Sequence, residues 1–254
     1  MGKVIAIVNQ KGGVGKTTSA INIGAYLAAA GKKTLLVDFD SQGNLSSGIG
    51  VSGAAAKPGI YELISGLAVA KDAVKKTVIP GLDLIPAGID LSGAAVELIE
   101  QEERDFFLKK ALEPIRRNYN YILIDCPPSL GVLTLNGISA SDAVLIPMQC
   151  EYFAMEGLSH LLQTIKRVKM GMNPKLNVEG LFFTMYDPRT RLAQQVVKEV
   201  GAYFKDKVFS TIIPRNVRLS EAPSHGLPIS KYDPQCSGAK AYKSLAAEVM
   251  AHGS

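Results

Sequence analysis

The chain has 254 residues, of which 47% are apolar and 20% are charged, and its formal net charge at pH 7 is +5. This composition is close to that of ordinary globular proteins and argues against a disordered chain. There is no apolar run of about 18 residues, so we expect no membrane span. The mildly basic balance permits a polyanionic partner without requiring one. At this length an α/β chain often forms one domain, and we expect a single domain over residues 1–254.

The three cysteines, Cys126, Cys150 and Cys236, are widely spaced and form no C-x-x-C pair. They neither build a disulfide framework nor supply a zinc site, and a reducing compartment fits them best. We expect all three to be small buried apolar residues. The first three residues lead directly into an apolar run, which leaves no room for a secretory signal. We therefore predict a cytoplasmic protein.

Short apolar runs alternate with helix-like stretches along the chain. Strands are predicted at residues 4–8, 34–38, 82–86, 121–125, 143–147, 178–184 and 208–213. Helices are predicted at residues 21–30, 105–117, 155–170, 191–204 and 239–251, and an irregular surface excursion at 51–80. Apolar strands separated by helices are typical of an α/β fold, a mainly parallel twisted sheet with helices on both faces. In such sheets ligands bind at the carboxyl ends of the strands.

A glycine-rich turn follows the first predicted strand and opens a helix. It reads Lys11-Gly12-Gly13-Val14-Gly15-Lys16-Thr17-Thr18. Turns of this kind expose backbone N–H groups at the positive end of a helix dipole, and glycines let the main chain approach a polyphosphate closely. Lys16 would reach the β- and γ-phosphates, and the Thr17 hydroxyl would bind Mg²⁺. The turn is therefore predicted to be a phosphate cradle formed by residues 11–18.

The cradle departs from the common pattern G-x-x-x-x-G-K-[ST], because Gln10 stands at the first glycine position and Lys11 adds a second lysine. Taken alone, Lys11 could be an idle surface residue. The segment 9–18, however, resembles the deviant Walker A box of the ParA/MinD group of ATPases. The resemblance implies a P-loop NTPase fold that binds ATP with Mg²⁺. It also implies that Lys11 crosses a dimer interface to the nucleotide of the partner subunit, where it would act like an arginine finger.

Three acidic residues lie at the ends of predicted strands. Asp125 ends the strand at 121–125 and resembles a Walker B aspartate, which could hold Mg²⁺ through water. Asp38 and Asp40 lie in a segment that resembles the first switch segment of the family. The resemblance implies that Asp40 activates the attacking water and that Asp38 lies behind the metal, near Thr17. The structural alternative also stays open, in which these are loop acids satisfied by backbone N–H groups.

Two later segments, 184–190 and 213–224, resemble blocks typical of Soj-like ParA proteins, so the resemblance spans nearly the whole chain. It implies that Pro214 and Asn216 contact the adenine base. A proline-bounded loop at a strand end offers backbone groups to an adenine edge, and an asparagine side chain can pair with the same edge.

Basic residues recur in the last third of the chain, next to predicted strands and in the C-terminal helix. The resemblance singles out Arg189 and Arg218 as DNA contacts, and we add Lys240 and Lys243 because they lie in a basic cluster near the C-terminus. Contacts to phosphates alone are independent of sequence and weaken as salt rises. No helix-turn-helix or zinc-finger pattern is visible that could read bases. The structural alternative is a solvated basic surface.

Together these residues predict a nucleotide switch. ATP and Mg²⁺ would order the loops around Asp40 and Asp125, and Lys11 would help to join two subunits. The homodimer would bind double-stranded DNA without sequence specificity, and slow hydrolysis to ADP and phosphate would release it. The resemblance further implies a ParB/Spo0J-like partner that stimulates hydrolysis, a role in chromosome or plasmid partitioning, and association with the nucleoid.

Three alternatives compete with this interpretation. A MinD-like membrane-associated positioning ATPase would end in an amphipathic basic helix, whereas the predicted helix at 239–251 is rich in alanine and contains Glu248. An iron–sulfur carrier of the same superfamily would need paired cysteines, and Cys126 alone is not a convincing ligand. A non-enzymatic DNA-compacting protein would not depend on Asp40.

Overall fold

The structure is a computed structural model that describes residues 1–152 and 154–252. The strands are β1 (Lys3–Ile7), β2 (Thr34–Asp38), β3 (Lys75–Lys76), β4 (Leu82–Ile85), β5 (Tyr121–Asp125), β6 (Ala143–Gln149) and β7 (Asn177–Thr184). Within those residues the seven strands form one sheet in the order β3-β4-β2-β5-β1-β6-β7. Neighbouring strands are parallel except for the short edge pair β3 and β4. The predicted mainly parallel α/β sheet is confirmed.

Helices connect the strands and cover the sheet. The α-helices are α1 (Lys16–Ala29), α2 (Asn44–Gly48), α3 (Ile60–Ile64), α4 (Ala70–Ala73), α5 (Leu91–Glu97), α6 (Phe107–Leu112), α7 (Val132–Ser139), α8 (Ala154–Gly171), α9 (Arg191–Phe204), α10 (Val217–Glu221), α11 (Ile229–Tyr232) and α12 (Ser237–His252). Short 3-10 helices cover Gly53–Ala56, Leu98–Glu100, Arg116–Asn118, Lys205–Lys207 and Ala222–His225. In the part of the chain that the structure describes, no helix is both long and apolar enough to cross a bilayer.

Apolar side chains from alternate strand positions form a core on each face of the sheet. Val4 and Ala6 of β1 point into one core, which α7, α8 and α9 complete. Ile5 and Ile7 of the same strand point into the other, which is completed by α1 and α12. Since both faces are covered, the strands are apolar along their whole length, as expected for a parallel sheet. The central position of β1 puts the loop that follows it between the loops that follow β5 and β6.

The prediction of a strand at 208–213 is wrong, because the structure has no continuous strand there. The segment runs beside β7 in an extended form, but it joins the strand through isolated bridges rather than a continuous ladder. The backbone N–H groups of Ser210 and Thr211 donate instead to the carboxylate of Glu248 on α12, at 2.8 and 2.9 Å. A side chain from a helix therefore takes the donors that a further strand pair would have used.

Other boundaries differ from the predictions for identifiable reasons. The helix predicted at 105–117 is reduced to α6 and a 3-10 turn, because Pro114 has no N–H to continue the helical hydrogen bonds. The excursion at 51–80 was predicted as irregular but contains α3, α4 and the edge strand β3. α3 begins with the Glu62 carboxylate accepting the N–H of Gly59 at 2.8 Å, which caps the first turn.

The expectation for the cysteines is correct for one of them. Cys126 is buried, and its sulfur lies close against Gly137 of α7. Cys150 and Cys236 are partly exposed, so the expectation that all three are buried is wrong. Cys150 directly follows β6 and Cys236 directly precedes α12, and sequence alone does not determine burial at such positions.

Candidate nucleotide site

The turn between β1 and α1 forms a cradle of backbone groups at the carboxyl edge of the sheet. Gly13 and Gly15 have φ angles of 74° and 86°, which non-glycine residues rarely adopt. The Thr184 hydroxyl donates to the carbonyl of Val14 at 2.8 Å, and the Gln149 side-chain amide donates to the carbonyl of Gly13 at 3.2 Å. These contacts fix the orientation of two carbonyl groups of the loop. The arrangement is that of an anion-binding loop at a helix N-terminus.

Next to the cradle lies an open cavity of about 580 Å³. Its lining includes Lys16, Thr17 and Thr18 at the start of α1, together with Asp40 from the loop after β2. Lys16 is buried, and its ammonium group donates to the carbonyl of Lys11 at 3.2 Å. Burial lowers the pKa of Lys16, while the charge of Asp125 opposes that shift. A cation, two hydroxyls and a carboxylate thus line one cavity of a size that suits a nucleotide.

Asp125 ends β5 beneath this cavity and is buried. Within residues 1–152 and 154–252, neither of its carboxylate oxygens has a hydrogen-bond partner of acceptable geometry. Burial raises the pKa of Asp125 to about 8, the charge of Asp38 adds to the rise, and the nearby Thr17 hydroxyl and Lys16 ammonium oppose it. A buried carboxylate without a partner is unfavourable, and a hydrated cation beside it would relieve that cost.

The donor set fits Mg²⁺ bound with a nucleotide rather than a metal held by protein alone. No group of three or more His, Cys, Asp or Glu side chains is arranged to hold a metal ion in the described portion of the chain. Mg²⁺ usually keeps several waters and takes one or two protein oxygens together with phosphates. The Thr17 hydroxyl lines the cavity and the Asp125 carboxylate lies near it, so these two groups could supply the protein oxygens.

Asp38 lies beside Asp125, in register with it on the neighbouring strand. One carboxylate oxygen of Asp38 accepts the Ser46 N–H at 2.8 Å and the Ser46 hydroxyl at 2.6 Å, and the other accepts the Asp40 N–H at 3.3 Å. Burial raises the pKa of Asp38 to about 6, and the bonds from Ser46 oppose the rise. Asp38 therefore anchors the loop after β2 from below.

Asp40 is half-buried and has two kinds of neighbour. One of its carboxylate oxygens accepts the N–H of Gln42 at 3.0 Å, which closes a local turn. The residue also lines the cavity next to Lys16. The backbone contact matches the structural alternative for a loop acid, and the cavity position matches the role implied for a residue that activates water.

Lys11 lies at the rim of the cradle, where its side chain is 50% exposed and forms an ion pair with Glu151 of the same chain. Gln10, at the position of the missing glycine, donates to the carbonyl of Gly157 on α8 at 2.9 Å. The two residues that distinguish this cradle from the common pattern therefore both contact the segment that follows β6.

A second cavity of about 290 Å³ shares Gly15, Thr18 and Met185 with the first, and its lining includes Pro214 and Asn216. The Asn216 side-chain oxygen accepts the N–H of Arg218 at 2.9 Å and caps α10. Its amide nitrogen donates to the Ser237 hydroxyl at 2.9 Å. Both predicted adenine contacts therefore line a cavity next to the cradle, and Asn216 would have to exchange Ser237 for a base.

The four predicted DNA contacts lie outside both cavities. Arg189 donates to both carboxylate oxygens of Asp187, at 2.9 and 2.7 Å. Arg218 donates to Glu221 at 2.9 Å, and its Nε atom lies 3.6 Å from Asp233. Lys240 and Lys243 are exposed on α12. Each arginine lies a few residues along the chain from a residue that lines the second cavity.

Sequence reasoning missed several residues of the site. Met185 lines both cavities, has a positive φ of 51°, and accepts a contact from the Gln149 amide at 2.8 Å. Thr184 and Gln149 end β7 and β6, and their strand-end positions are the signal that could have identified them. No sequence pattern marks Ser46, because its hydroxyl accepts the N–H of Ala87, which is distant in the sequence.

The fold and the cradle define a P-loop ATPase with a deviant Walker A turn. A family model described as an AAA domain matches residues 2–178. The chain is 62% identical over 251 residues to the chromosome-partitioning ATPase Soj of Treponema pallidum, which covers 99% of this chain and 98% of that one. It is 55% identical over 253 residues to the sporulation initiation inhibitor protein Soj of Bacillus subtilis, over 100% of both chains. The chain belongs to the Soj/ParA family of chromosome-partitioning ATPases.

A solved structure of a Mycobacterium smegmatis protein, named cobyrinic acid a,c-diamide synthase, is also similar. Its TM-score is 0.86 at 36% sequence identity, over 100% of this chain and 96% of that one. That protein is known with ADP and magnesium and with an ATP analogue and magnesium. The predicted family, ATPase class and cofactors, ATP and Mg²⁺, are confirmed at the level of the family. The roles of individual residues remain predictions.

The raised pKa of Asp125 predicts a pH dependence of stability. The ordinary value is 3.8 and the folded value about 8, so ionisation is disfavoured in the folded state. The free energy of unfolding of the nucleotide-free protein should therefore fall as pH rises from about 4 to about 8. Asp125→Asn should make this fall smaller, as measured by urea unfolding at pH 5 and pH 8. The exposed control Asp206→Asn should not change it, and an equal fall in Asp125→Asn and the parent would contradict the assignment.

Proposed function

We propose that the protein is an ATP-dependent dimerising switch that binds DNA non-specifically and drives chromosome or plasmid partitioning. The observation that carries the proposal is the phosphate cradle next to Lys16 and to the unpartnered buried carboxylate of Asp125. The names of the most similar relatives support the partitioning role. A ParB/Spo0J-like partner would stimulate a slow intrinsic hydrolysis. The protein would be cytoplasmic, and its binding to DNA would associate it with the nucleoid.

In the proposed site the glycine cradle and Lys16 bind the phosphates of ATP. Thr17 and Asp125 would hold Mg²⁺, which would neutralise charge on the phosphate oxygens. Asp40 orients the attacking water and accepts its proton. The local turn with Gln42 and the bond to Asp38 keep Asp40 at the cavity wall. Positioning and electrostatic stabilisation supply most of the catalysis in phosphoryl transfer, and these residues offer both.

Dimerisation in this proposal requires Lys11 to leave Glu151. Both side chains of that ion pair are about half exposed, at 50% and 52%. Exposed pairs of this kind contribute at most about 1 kcal/mol, so a triphosphate carrying several negative charges can displace the carboxylate. The lysine would then bind the nucleotide of the partner subunit and stabilise charge on the transferred phosphoryl group.

DNA binding in this proposal requires Arg189 and Arg218 to exchange carboxylates for phosphates. Each arginine binds an acid of its own loop, and both pairs are exposed. Arginine binds phosphate with the same forked geometry that it uses for carboxylate. Lys240 and Lys243 on α12 would add charge to the same contact. Joining two subunits doubles the basic surface, and the second half then binds with a high effective concentration.

The membrane-associated alternative has less support. The apolar residues of α12, among them Tyr242, Leu245 and Val249, are buried against the rest of the fold. Glu248 of the same helix binds the backbone of the segment at 208–213. A helix that inserts into lipid needs an apolar face that is free of the protein.

The role of Asp40 is tested by Asp40→Ala. We expect this variant to bind ATP and to dimerise like the parent, because the cradle and Lys11 are unchanged, but to lose ATP turnover. Phosphate release, nucleotide binding and size in solution measure the three properties. The exposed control Asp206→Ala should keep all of them. Turnover by Asp40→Ala at the parental rate would remove Asp40 from the mechanism.

The DNA contacts are tested by replacing Arg189 and Arg218 with alanine together. DNA retention by the parent should require ATP and should weaken as salt rises. The double variant should lose retention, and the slope of log affinity against log salt should fall by about 0.9 for each phosphate contact removed. A control that removes the same charge at two other exposed arginines, Arg117 and Arg167, should keep it. Equal retention with ADP and with ATP would count against the switch.

A further inference from the structure

We propose that Ser46 is a positioning residue for ATP hydrolysis, which holds the loop carrying Asp40 in place by binding Asp38. Ser46 lies on α2, the short helix that follows this loop, and is 2% exposed. The inference rests on the proposed role of Asp40.

A chain of hydrogen bonds runs through the Ser46 side chain. Its hydroxyl donates to the Asp38 carboxylate at 2.6 Å and accepts the N–H of Ala87 at 3.0 Å. The Ser46 N–H donates to the same carboxylate oxygen at 2.8 Å. The other oxygen of Asp38 accepts the N–H of Asp40. One hydroxyl therefore connects the loop after β4, the strand-end acid of β2 and the backbone of Asp40.

Packing and hydrogen bonds hold α2 together, and Leu45 on this helix is fully buried in the core shared with α1. α2 has five residues, too few for a helix to be stable on its own. The N-cap residue that precedes it, Gly43, has a positive φ of 62° and supplies no side-chain cap. A Cβ at Gly43 would lie 3.2 Å from the carbonyl of Ala87, so the loop after β4 backs the turn closely. Packing therefore holds α2 on α1, while the bonds of Ser46 hold it to Asp38 on one side and to the loop after β4 on the other.

Loss of the hydroxyl removes one donor from Asp38 and leaves the buried N–H of Ala87 without its acceptor. A buried polar group without a partner drives local rearrangement, because burial away from water is costly. The loop would move relative to the cradle, while the phosphate-binding groups on α1 would stay where they are. Small displacements of a positioned catalytic group lower the rate of the chemical step far more than they lower binding.

The test is single-turnover and steady-state ATP hydrolysis by three variants of Ser46. Ser46→Ala should lower kcat by about tenfold or more and change KM for ATP by less than about twofold. Ser46→Cys keeps the side-chain size but donates weakly, and it should fall in the same direction. Ser46→Thr keeps the hydroxyl and should retain at least about half of the parental kcat.

A matched control is Ser141→Ala. Ser141 is also buried, and its hydroxyl donates to the carbonyl of Gly137 at 2.7 Å, away from the nucleotide cavity. This variant loses one buried side-chain hydrogen bond, whereas Ser46→Ala loses two, and it should keep the parental kcat. A general effect of lost stability would lower both variants alike, so equal losses in the two would overturn the proposal.

Asp40→Ala, measured in parallel, distinguishes failure of the role of Ser46 from failure of the role of Asp40. If Asp40→Ala is inactive while Ser46→Ala or Ser46→Cys hydrolyses ATP at the parental rate, the positioning role of Ser46 is wrong and Asp40 keeps its role. If Asp40→Ala remains active, the proposed function of Asp40 fails, and the inference about Ser46 fails with it. A kcat of Ser46→Thr as low as that of Ser46→Ala would also overturn the proposal.

Discussion

Two carboxylates buried side by side govern this site. Asp38 and Asp125 end adjacent strands in register, and burial raises the pKa of both. Asp38 is satisfied by Ser46 and by the backbone of Asp40, whereas Asp125 has the Thr17 hydroxyl nearby but no hydrogen bond of acceptable geometry from the described residues. A site with this imbalance favours a bound cation, and the cradle above it favours the phosphates that bring one. Asp125 and its neighbour Asp38 thus connect the nucleotide cavity with the position of the loop after β2.

The deviation from the common P-loop pattern has a structural counterpart. Gln10 contacts α8 and Lys11 contacts Glu151, so the two unusual residues of the turn both bind the segment after β6. A glycine in place of Gln10 would lose the side-chain hydrogen bond to the carbonyl of Gly157. An ion pair at the surface is weak enough to be exchanged, which is what the proposed contact of Lys11 with a nucleotide requires.

The sequence was sufficient for the sheet, the cradle and the strand-end acids, because each depends on local pattern: apolar runs, glycines before a helix, and an acid after a strand. It was not sufficient where a distant side chain decides the outcome. The segment at 208–213 has the sequence pattern of a strand, but Glu248 binds the N–H groups of Ser210 and Thr211 within it. The contact between Ser46 and Ala87, like the positive φ of Met185, depends on packing that no local pattern encodes.

We propose that Lys11 joins two copies of the chain through ATP, and that only the dimer binds DNA. The most direct measurement is the size of the protein in solution with ADP and with ATP, with and without a DNA fragment, for the parent, for Lys11→Ala and for the exposed control Lys32→Ala. We expect the parent and Lys32→Ala to form a dimer with ATP and to bind the fragment, and Lys11→Ala to stay monomeric and not to bind it. A Lys11→Ala variant that dimerises and binds DNA as well as the parent would contradict it.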